Sequence, residues 1–447
     1  MVSGSVAVIL LILVVAALIV ATGKFKINAF LVLLFVAFLY GILIGMPIGD
    51  VVANIKAGFG GTLSSIGIVI ITGTMMGVIL EKTGAALVMT RTILGLVGKD
   101  RSPLAMNIAG FVVSIPVFCD SGYVILTPLN KALAKESAKS MAVMAVALAT
   151  GLYATHTMVP PTPGPIAAAS SVGADLGTVI IYGLIASIPA SLIGYLWAVK
   201  VAARYDIEPE SIESYSTLME KYGQLPSVFA SFLPLVLPLV LILFKSIIDL
   251  KGKDGTLTFG AGPVQSFISN IGDPVIALII GVICALCIVP RTSLSAAVDG
   301  WLGQGIRDAA IVLAITGAGG SFGKILQGSP MVDYIKDNLS TSSLGIFLPF
   351  IISAAIKTAQ GSSTVAIITT ATIMAPMLGA LGLNPALSVI AIGAGSMVVS
   401  HANDSYFWVV SQFSAMPVNI AYKVYTTATA VEGVTAMIAV YILALIF

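Results

Sequence analysis

Thr155-His156-Thr157-Met158-Val159-Pro160-Pro161-Thr162-Pro163-Gly164-Pro165 is the stretch on which the reading of this chain turns. It lies between apolar segments, and prolines so closely spaced cannot continue a regular helix. A helix that reaches His156 therefore has to break within a few residues. Backbone outside regular structure survives at membrane depth only where it is buried in protein or lines a water-filled cavity. A second stretch, Ser400-His401-Ala402-Asn403-Asp404-Ser405, carries the other of the two histidines in the 447 residues and is also set in apolar sequence. An ionisable group inside lipid costs at least ~2.5 kcal/mol, so these positions mark a pathway or a binding site by default.

Composition makes the surrounding medium plain. Hydrophobic residues are 58% of the chain and charged ones 9%, where soluble domains carry about 25% charged residues. The chain reads as an all-α polytopic membrane protein. Uncharged runs near the ~20 residues a bilayer crossing needs cover 5–22, 57–80, 176–199 and 223–244, which leaves no room for a soluble catalytic domain. A net charge of +2 without a basic cluster argues against nucleic acid as a partner. Lys24 and Lys26 follow the first apolar run where a secretory signal would have a small-residue cleavage site. Cys284 and Cys287 have the spacing of a redox or zinc motif, yet they sit in an apolar run with no other soft ligand. They read as packed small hydrophobes, and neither metal nor cofactor is expected.

The halves of the chain resemble each other faintly at one offset, about 244 residues. Thr72-Gly73 recurs as Thr316-Gly317, the segment starting at Gly77 as that starting at Gly323, Asp120-Ser121-Gly122-Tyr123 as Gly361-Ser362-Ser363-Thr364, and Ala154-Thr155-His156 as Val399-Ser400-His401. Weak internal symmetry of this kind accompanies inverted-topology repeats in transporters. Lysine and arginine placement supports the same organisation, with Lys24/Lys26, Lys99/Arg101, Lys131/Lys135/Lys139, Lys200/Arg204 and Arg291/Arg307 all cytoplasmic. The expected domains are a first inverted repeat over 1–199 with a re-entrant hairpin at about 102–130, a cytoplasmic linker over 200–226, and a second inverted repeat over 227–447 with a hairpin at about 338–381. Each repeat has five spans and one hairpin, and both termini lie outside. Lys245, Lys251 and Lys253 fall on the external side in this threading and count against it. Asp206, Glu208, Glu210, Glu213 and Glu220 make the linker a solvated connector.

Breaker-rich polar stretches locate the chemistry. Asp120-Ser121-Gly122 would form the first hairpin tip, where backbone N–H groups of a new half-helix are free to meet an anion. A lone carboxylate there has no evident structural task. Desolvation favours the protonated form that a proton carrier needs, whereas a lysine partner would hold it ionised. The counterpart, Lys357-Thr358-Ala359-Gln360-Gly361-Ser362-Ser363-Thr364, gathers amide and hydroxyl groups suited to a hydroxy acid. Lys357 either pairs with a substrate carboxylate or snorkels out from the external mouth of the hairpin. His156 with Thr157, and His401 by the repeat, would end half-helices and face unwound segments. An imidazole there either contacts substrate or relays a proton, or it bonds freed backbone carbonyls. Asn403, Asp404 and Ser405 complete the set, with Asp404 a further candidate for handling protons. Gly317, Gly320 and Gly323 fail the dinucleotide-loop register and read as one close-packing helix face. Asp273-Pro274 reads as an N-cap followed by proline at the first helical position.

Four stretches together, Ile55-Lys56-Ala57-Gly58-Phe59-Gly60-Gly61-Thr62-Leu63, Pro160 to Pro165, Gln360 to Ala366, and Ser400 to Ser405 with Phe407-Trp408, resemble the gluconate permease (GntP) family of bacterial inner-membrane symporters over essentially the whole chain. The resemblance implies proton-coupled uptake of a sugar acid such as gluconate, a homodimer, and scaffold and transport parts that move in an elevator-like way. The chain departs from the family at Thr162, where histidine is frequent, at Lys357, where arginine is usual, and at Ser121, where valine is frequent. Lysine lacks the bidentate fork that matches a carboxylate, so glycerate, other aldonates and D-serine stand beside gluconate. The alternatives are sodium coupling or antiport of a carboxylate at the same hairpin tips, and an intramembrane hydrolase built on Ser, His and Asp. The hydrolase lacks H-E-x-x-H and G-x-S-x-G and leaves the twofold repetition unexplained.

Overall fold

The computed structural model describes residues 2–209, 225–249, 262–334, 345–402 and 404–446, and every element among them is helical. In the first half these are α1 (Gly4–Gly23), α2 (Ala29–Leu43), α3 (Ile48–Lys82), α4 (Ala85–Val97), α5 (Ser102–Val113), α6 (Cys119–Glu136), α7 (Met141–Met158), α8 (Pro163–Val172) and α9 (Leu176–Lys200). In the second half they are α10 (Val228–Ile248), α11 (Pro263–Ile271), α12 (Pro274–Cys287), α13 (Leu302–Gln327), α14 (Phe347–Gln360), α15 (Ser363–Met374), α16 (Pro385–Gly395), α17 (Ser405–Phe413) and α18 (Val418–Ile446). Seven of the described helices are long and apolar enough to cross a membrane, or eight if the bent pair α11–α12 is one span. The ten crossings expected from charge placement also need α2, at 15 residues, and the broken α16–α17.

Local chemistry sets the helix ends. Asn28, Ser140, Asp175, Ser227, Asp273, Ser362, Asn384 and Asp404 cap the helices that follow them, each accepting a bond from a first-turn N–H group, as the cap preference requires. Asp273 does so as expected, 3.0 Å from the Val275 nitrogen. Gly361 ends α14 with φ +98°, a conformation that penalises any side chain. α10 starts at Val228, after the Ser227 cap, rather than at 223; Gly223 and Gln224 lie outside the described residues.

Two buried helices form the centre. All residues of α7, and all of α16 after Pro385, are buried, and α5, α9, α6 and α18 pack around α7. α3 and α13 make the most extensive helix contact among the described residues. A Cβ on Gly58 would stand 2.3 Å from the Gly320 carbonyl oxygen, and one on Gly320 would stand 2.0 Å from Thr62 Oγ1. The expectation that Gly317, Gly320 and Gly323 share one packing face is therefore corrected. Gly317 and Gly320 admit Phe59, Gly58 and Thr62 of α3, whereas Gly323 joins Gly319 in facing Thr372 of α15. Cys284 is half-buried and Cys287 exposed, so the reading as a packed residue is corrected for Cys287.

The order of breaks recurs along the chain. Helices start at Ser102, Cys119, Met141, Pro163 and Leu176, and again at Phe347, Ser363, Pro385, Ser405 and Val418, at nearly constant separation. The first hairpin turns at Ser114–Phe118, so Asp120 lies in the opening turn of α6 and not at the tip. In the second, α14 and α15 are parted by Gly361 and Ser362; residues 338–344 of the expected hairpin lie outside the described residues. Counted from the starts of α7 and α16, His156 matches Ser400, the neighbour of His401. Of the lysines that oppose the threading, Lys245 pairs with Asp249 at 2.6 Å and donates to Ser269, so its charge is matched locally. Lys251 and Lys253, and Glu210, Glu213 and Glu220 of the linker, lie outside the described residues.

Candidate functional site

Three helix N-termini meet at one cavity of about 230 Å³. α6 contributes Phe118, Cys119 and Asp120, α15 contributes Ser362 to Val365, and α17 contributes Asp404, Ser405 and Tyr406; His156 enters from α7, and Asp308 with Ile311, Val312 and Ile315 closes the wall from α13. Each N-terminus has backbone N–H groups without partners inside its own helix and the positive end of a helix dipole. α6 has no side-chain cap, which leaves its first-turn donors the least satisfied. An anion is the ligand such an arrangement suits. The volume falls below the ~300–1,000 Å³ range of general small-molecule pockets and so favours a small one.

Among the described residues, two fully buried polar atoms on this cavity lack partners. Asp120 Oδ1 and His156 Nδ1 are buried and make no hydrogen bond, whereas most buried polar atoms make one. His156 sits in the last turn of α7, 5% exposed, with its ring 5.8 Å from that of Phe118. The polar stretch and the proline break thus place an open carboxylate and an open imidazole on one cavity.

Behind them lies an ion pair that sequence reasoning did not assemble. Lys357, in the last turn of α14, is fully buried, and its Nζ lies 2.5 Å from Asp404 Oδ2. It also donates to the Gly361 carbonyl and lies 5.7 Å from the centre of the Tyr153 ring. Snorkelling outward, one of the two readings of Lys357, is thereby corrected. Asp404 Oδ2 also accepts from Ser400 Oγ, and Oδ1 accepts from the Tyr406 N–H at 3.1 Å. The pair ties the end of one hairpin helix to the start of α17. In the interior, removing either member of such a pair costs about 3–5 kcal/mol, because the other charge is left uncompensated.

The remaining expected residues fall around this centre and not on the cavity. His401 stands within the unwound segment between α16 and α17, with Nε2 2.9 Å from the Thr358 carbonyl oxygen, the backbone-bonding alternative among its readings. Gln360 donates to the Ser362 carbonyl, and Thr157 bonds back to the Tyr153 carbonyl at 3.2 Å. Gly122 packs on Leu152, where a Cβ would come within 2.7 Å. Ser121 is half-buried in the first turn of α6. Asn403 lies outside the described residues. Among the described residues no group of three or more His, Cys, Asp or Glu side chains is placed to hold a metal ion.

Residues the sequence reading passed over complete the surroundings. Tyr123, Tyr153, Tyr406 and Tyr425 are buried together, with Tyr406 ring centroids 6.1, 5.3 and 5.8 Å from the other three. Tyr406 donates to the Ala149 carbonyl and Tyr153 to the Ser396 carbonyl. Their spacing has no period, because they come from four separate segments. Asp308 was hidden as half of an Arg307-Asp308 pair that resembles a cytoplasmic flank.

A family model described as GntP family permease matches residues 6–446. The chain belongs to the GntP permease family. This GntP permease is 36% identical to an uncharacterised permease of Haemophilus influenzae, over 93% of this chain and 88% of that one. It is 34% identical to a gluconate permease of Pseudomonas aeruginosa, over 96% and 95% of the two chains, and 33% identical to the D-serine transporter DsdX of Escherichia coli K12, over 95% of each. Its fold is similar to that of Neisseria gonorrhoeae MtrF, with a TM-score of 0.67 at 14% identity over 95% of this chain and 96% of that one. Alcanivorax borkumensis YdaH is alike, with a TM-score of 0.66 at 15% identity over 93% and 96%. This GntP permease is a multi-pass inner-membrane transporter and not an enzyme, which removes the hydrolase alternative.

Proposed function

We propose that this permease takes up gluconate or a related small hydroxycarboxylate by symport with protons. The observation that carries the reading is the open carboxylate Asp120 on a cavity where three helix N-termini converge. The N–H groups would receive the substrate carboxylate, and Ser362, Ser363, Thr364 and Ser405 its hydroxyls. Asp120 would exchange the proton, beside His156. Relatives named for gluconate and for D-serine handle molecules that share a carboxylate and a hydroxyl, which agrees with a site built for that pair of groups. In this reading Lys357 and Asp404, with Gln360, Gly361 and His401 around them, hold the second hairpin in place. Ser121, Gly122 and Thr157 set the backbone of the first half of the site.

The recurring helix starts support two inverted repeats, 1–199 and 227–447, joined by a linker over 200–226. The closely packed pair α3–α13 would belong to the scaffold, and the hairpins with α7–α8 and α16–α17 to an elevator-like transport part in a lipid-embedded homodimer. Reconstituted protein tests the function directly. Labelled gluconate should accumulate under an inward proton gradient and be displaced by one member of a panel of glycerate, other aldonates and D-serine. Uptake that ignores the proton gradient and follows sodium would overturn proton symport.

A further inference from the structure

Glu432 is the buried carboxylate that this mechanism leaves unused. It lies in α18, fully buried, and neither of its oxygens has a hydrogen-bond partner. α18 packs against α9, α16 and α7. α16 carries no titratable side chain. α7 carries His156 and Tyr153, the latter bonded to the Ser396 carbonyl. α9 carries Tyr182, Tyr195 and Lys200, none of them bonded to Glu432. On α18 itself, Tyr425 bonds to Ser400 and Thr429 Oγ1 accepts the Ser400 N–H at 3.0 Å. Thr429 lies three residues before Glu432, hence on the same helix face. Ser400 is in turn bonded to Asp404.

An isolated ionised carboxylate in a protein interior costs so much that the group takes up a proton instead. Asp404 has Lys357, Ser400 and a backbone N–H group to support its charge; Glu432 has none of these. Such a group inside a membrane protein is a functional position by default. Its seal against solvent also has a kinetic meaning, because the acid cannot exchange its proton until the helices around it part. Proton release is then tied to a conformational step that moves α18 relative to α7 and α16, and Thr429 links that step to the unwound segment holding Asp404.

We propose that Glu432 is a second protonation site of the transport cycle, distinct from the substrate cavity, which loads a proton from water on one side and releases it to water on the other. Only its O–H bond is made and broken. The proposal rests on the proton-symport reading above.

The test uses the full-length protein in proteoliposomes, with gluconate, glycerate and D-serine tried in turn. E432Q should still show counterflow, which needs no net proton movement, while its gradient-driven accumulation ratio falls to about one. E432D should recover accumulation above one. An infrared arm with carbon-13-labelled glutamate reads the carbonyl stretch of a protonated carboxyl, which should vanish at alkaline pH in the wild type and be missing from E432Q. Wild-type accumulation by E432Q would overturn the proposal, as would a carbonyl band unaffected by pH or by the substitution. Should the wild type exchange none of the three substrates, the substrate reading fails and the infrared arm alone decides Glu432. Should E432Q not fold, E432D serves in its place, with a band shifted from the wild-type position as the supporting result and an unshifted one as the refuting result.

Discussion

The buried pair Lys357–Asp404 makes the sharpest energetic prediction. Replacing Lys357 by methionine leaves the Asp404 carboxyl group at 5% side-chain exposure without its cationic partner, with only Ser400 and the Tyr406 N–H group still bonded to it. Replacing Asp404 by asparagine keeps the α17 cap, since asparagine caps as well as aspartate, but leaves the ammonium with only the Gly361 carbonyl and the Tyr153 ring. Each single change should cost about 3–5 kcal/mol. At about 2.1 cal/mol/K per residue, 447 residues correspond to an unfolding entropy of about 0.9 kcal/mol/K, so each change should lower Tm by about 3–5 °C. The double variant K357M/D404N removes both charges and should recover to within about 1 °C of the wild type. Thermal unfolding of the purified protein in one detergent at fixed concentration measures all four corners of the cycle. A double variant that loses the sum of the two single losses, within the roughly 0.5 kcal/mol of ordinary additivity, would show that the two charges do not stabilise each other.

Three further outcomes follow from the geometry. Asp120→Asn should abolish uphill uptake and keep exchange, and unimpaired accumulation by that variant would remove Asp120 from the proton role. Gly58→Ala should prevent assembly of α3 on α13, because its Cβ would meet the Gly320 carbonyl at 2.3 Å, whereas Gly60→Ala, with nothing within 4 Å, should be neutral; the yield of monodisperse protein by size-exclusion chromatography separates them. Ser362→Ala removes the α15 cap to the Val365 N–H group, so it should cost about 1 kcal/mol of stability and raise the substrate KM several-fold; an unchanged KM would exclude the α15 N-terminus from binding.

The broken helices were legible because proline and glycine act locally. Pro160, Pro161 and Pro163 end α7 beside His156 wherever the rest of the chain goes. Glycine at 361 likewise announces the end of α14 through a backbone conformation that only it tolerates cheaply. The pairing of Lys357 with Asp404 was not legible, because it joins residues 47 apart whose meeting depends on how a hairpin folds back on an unwound strand. Single-residue reasoning gave Lys357 a choice between substrate and solvent, and the partner it took was another residue on the candidate list. Glu432 could have been found. It is the lone acid in the last apolar span, where no proline break or polar cluster marks it.

The convergence of helix ends at the cavity also bears on how such a transporter diversifies. Main-chain N–H groups are present with every side chain except proline, so few point mutations can delete that part of the cavity lining. The hydroxyls at 362 to 364 and 405 carry no such protection. On the proposed binding mode, a lineage built on this frame would vary the tail of its cargo by ordinary drift while the recognition of its acid head is largely inherited.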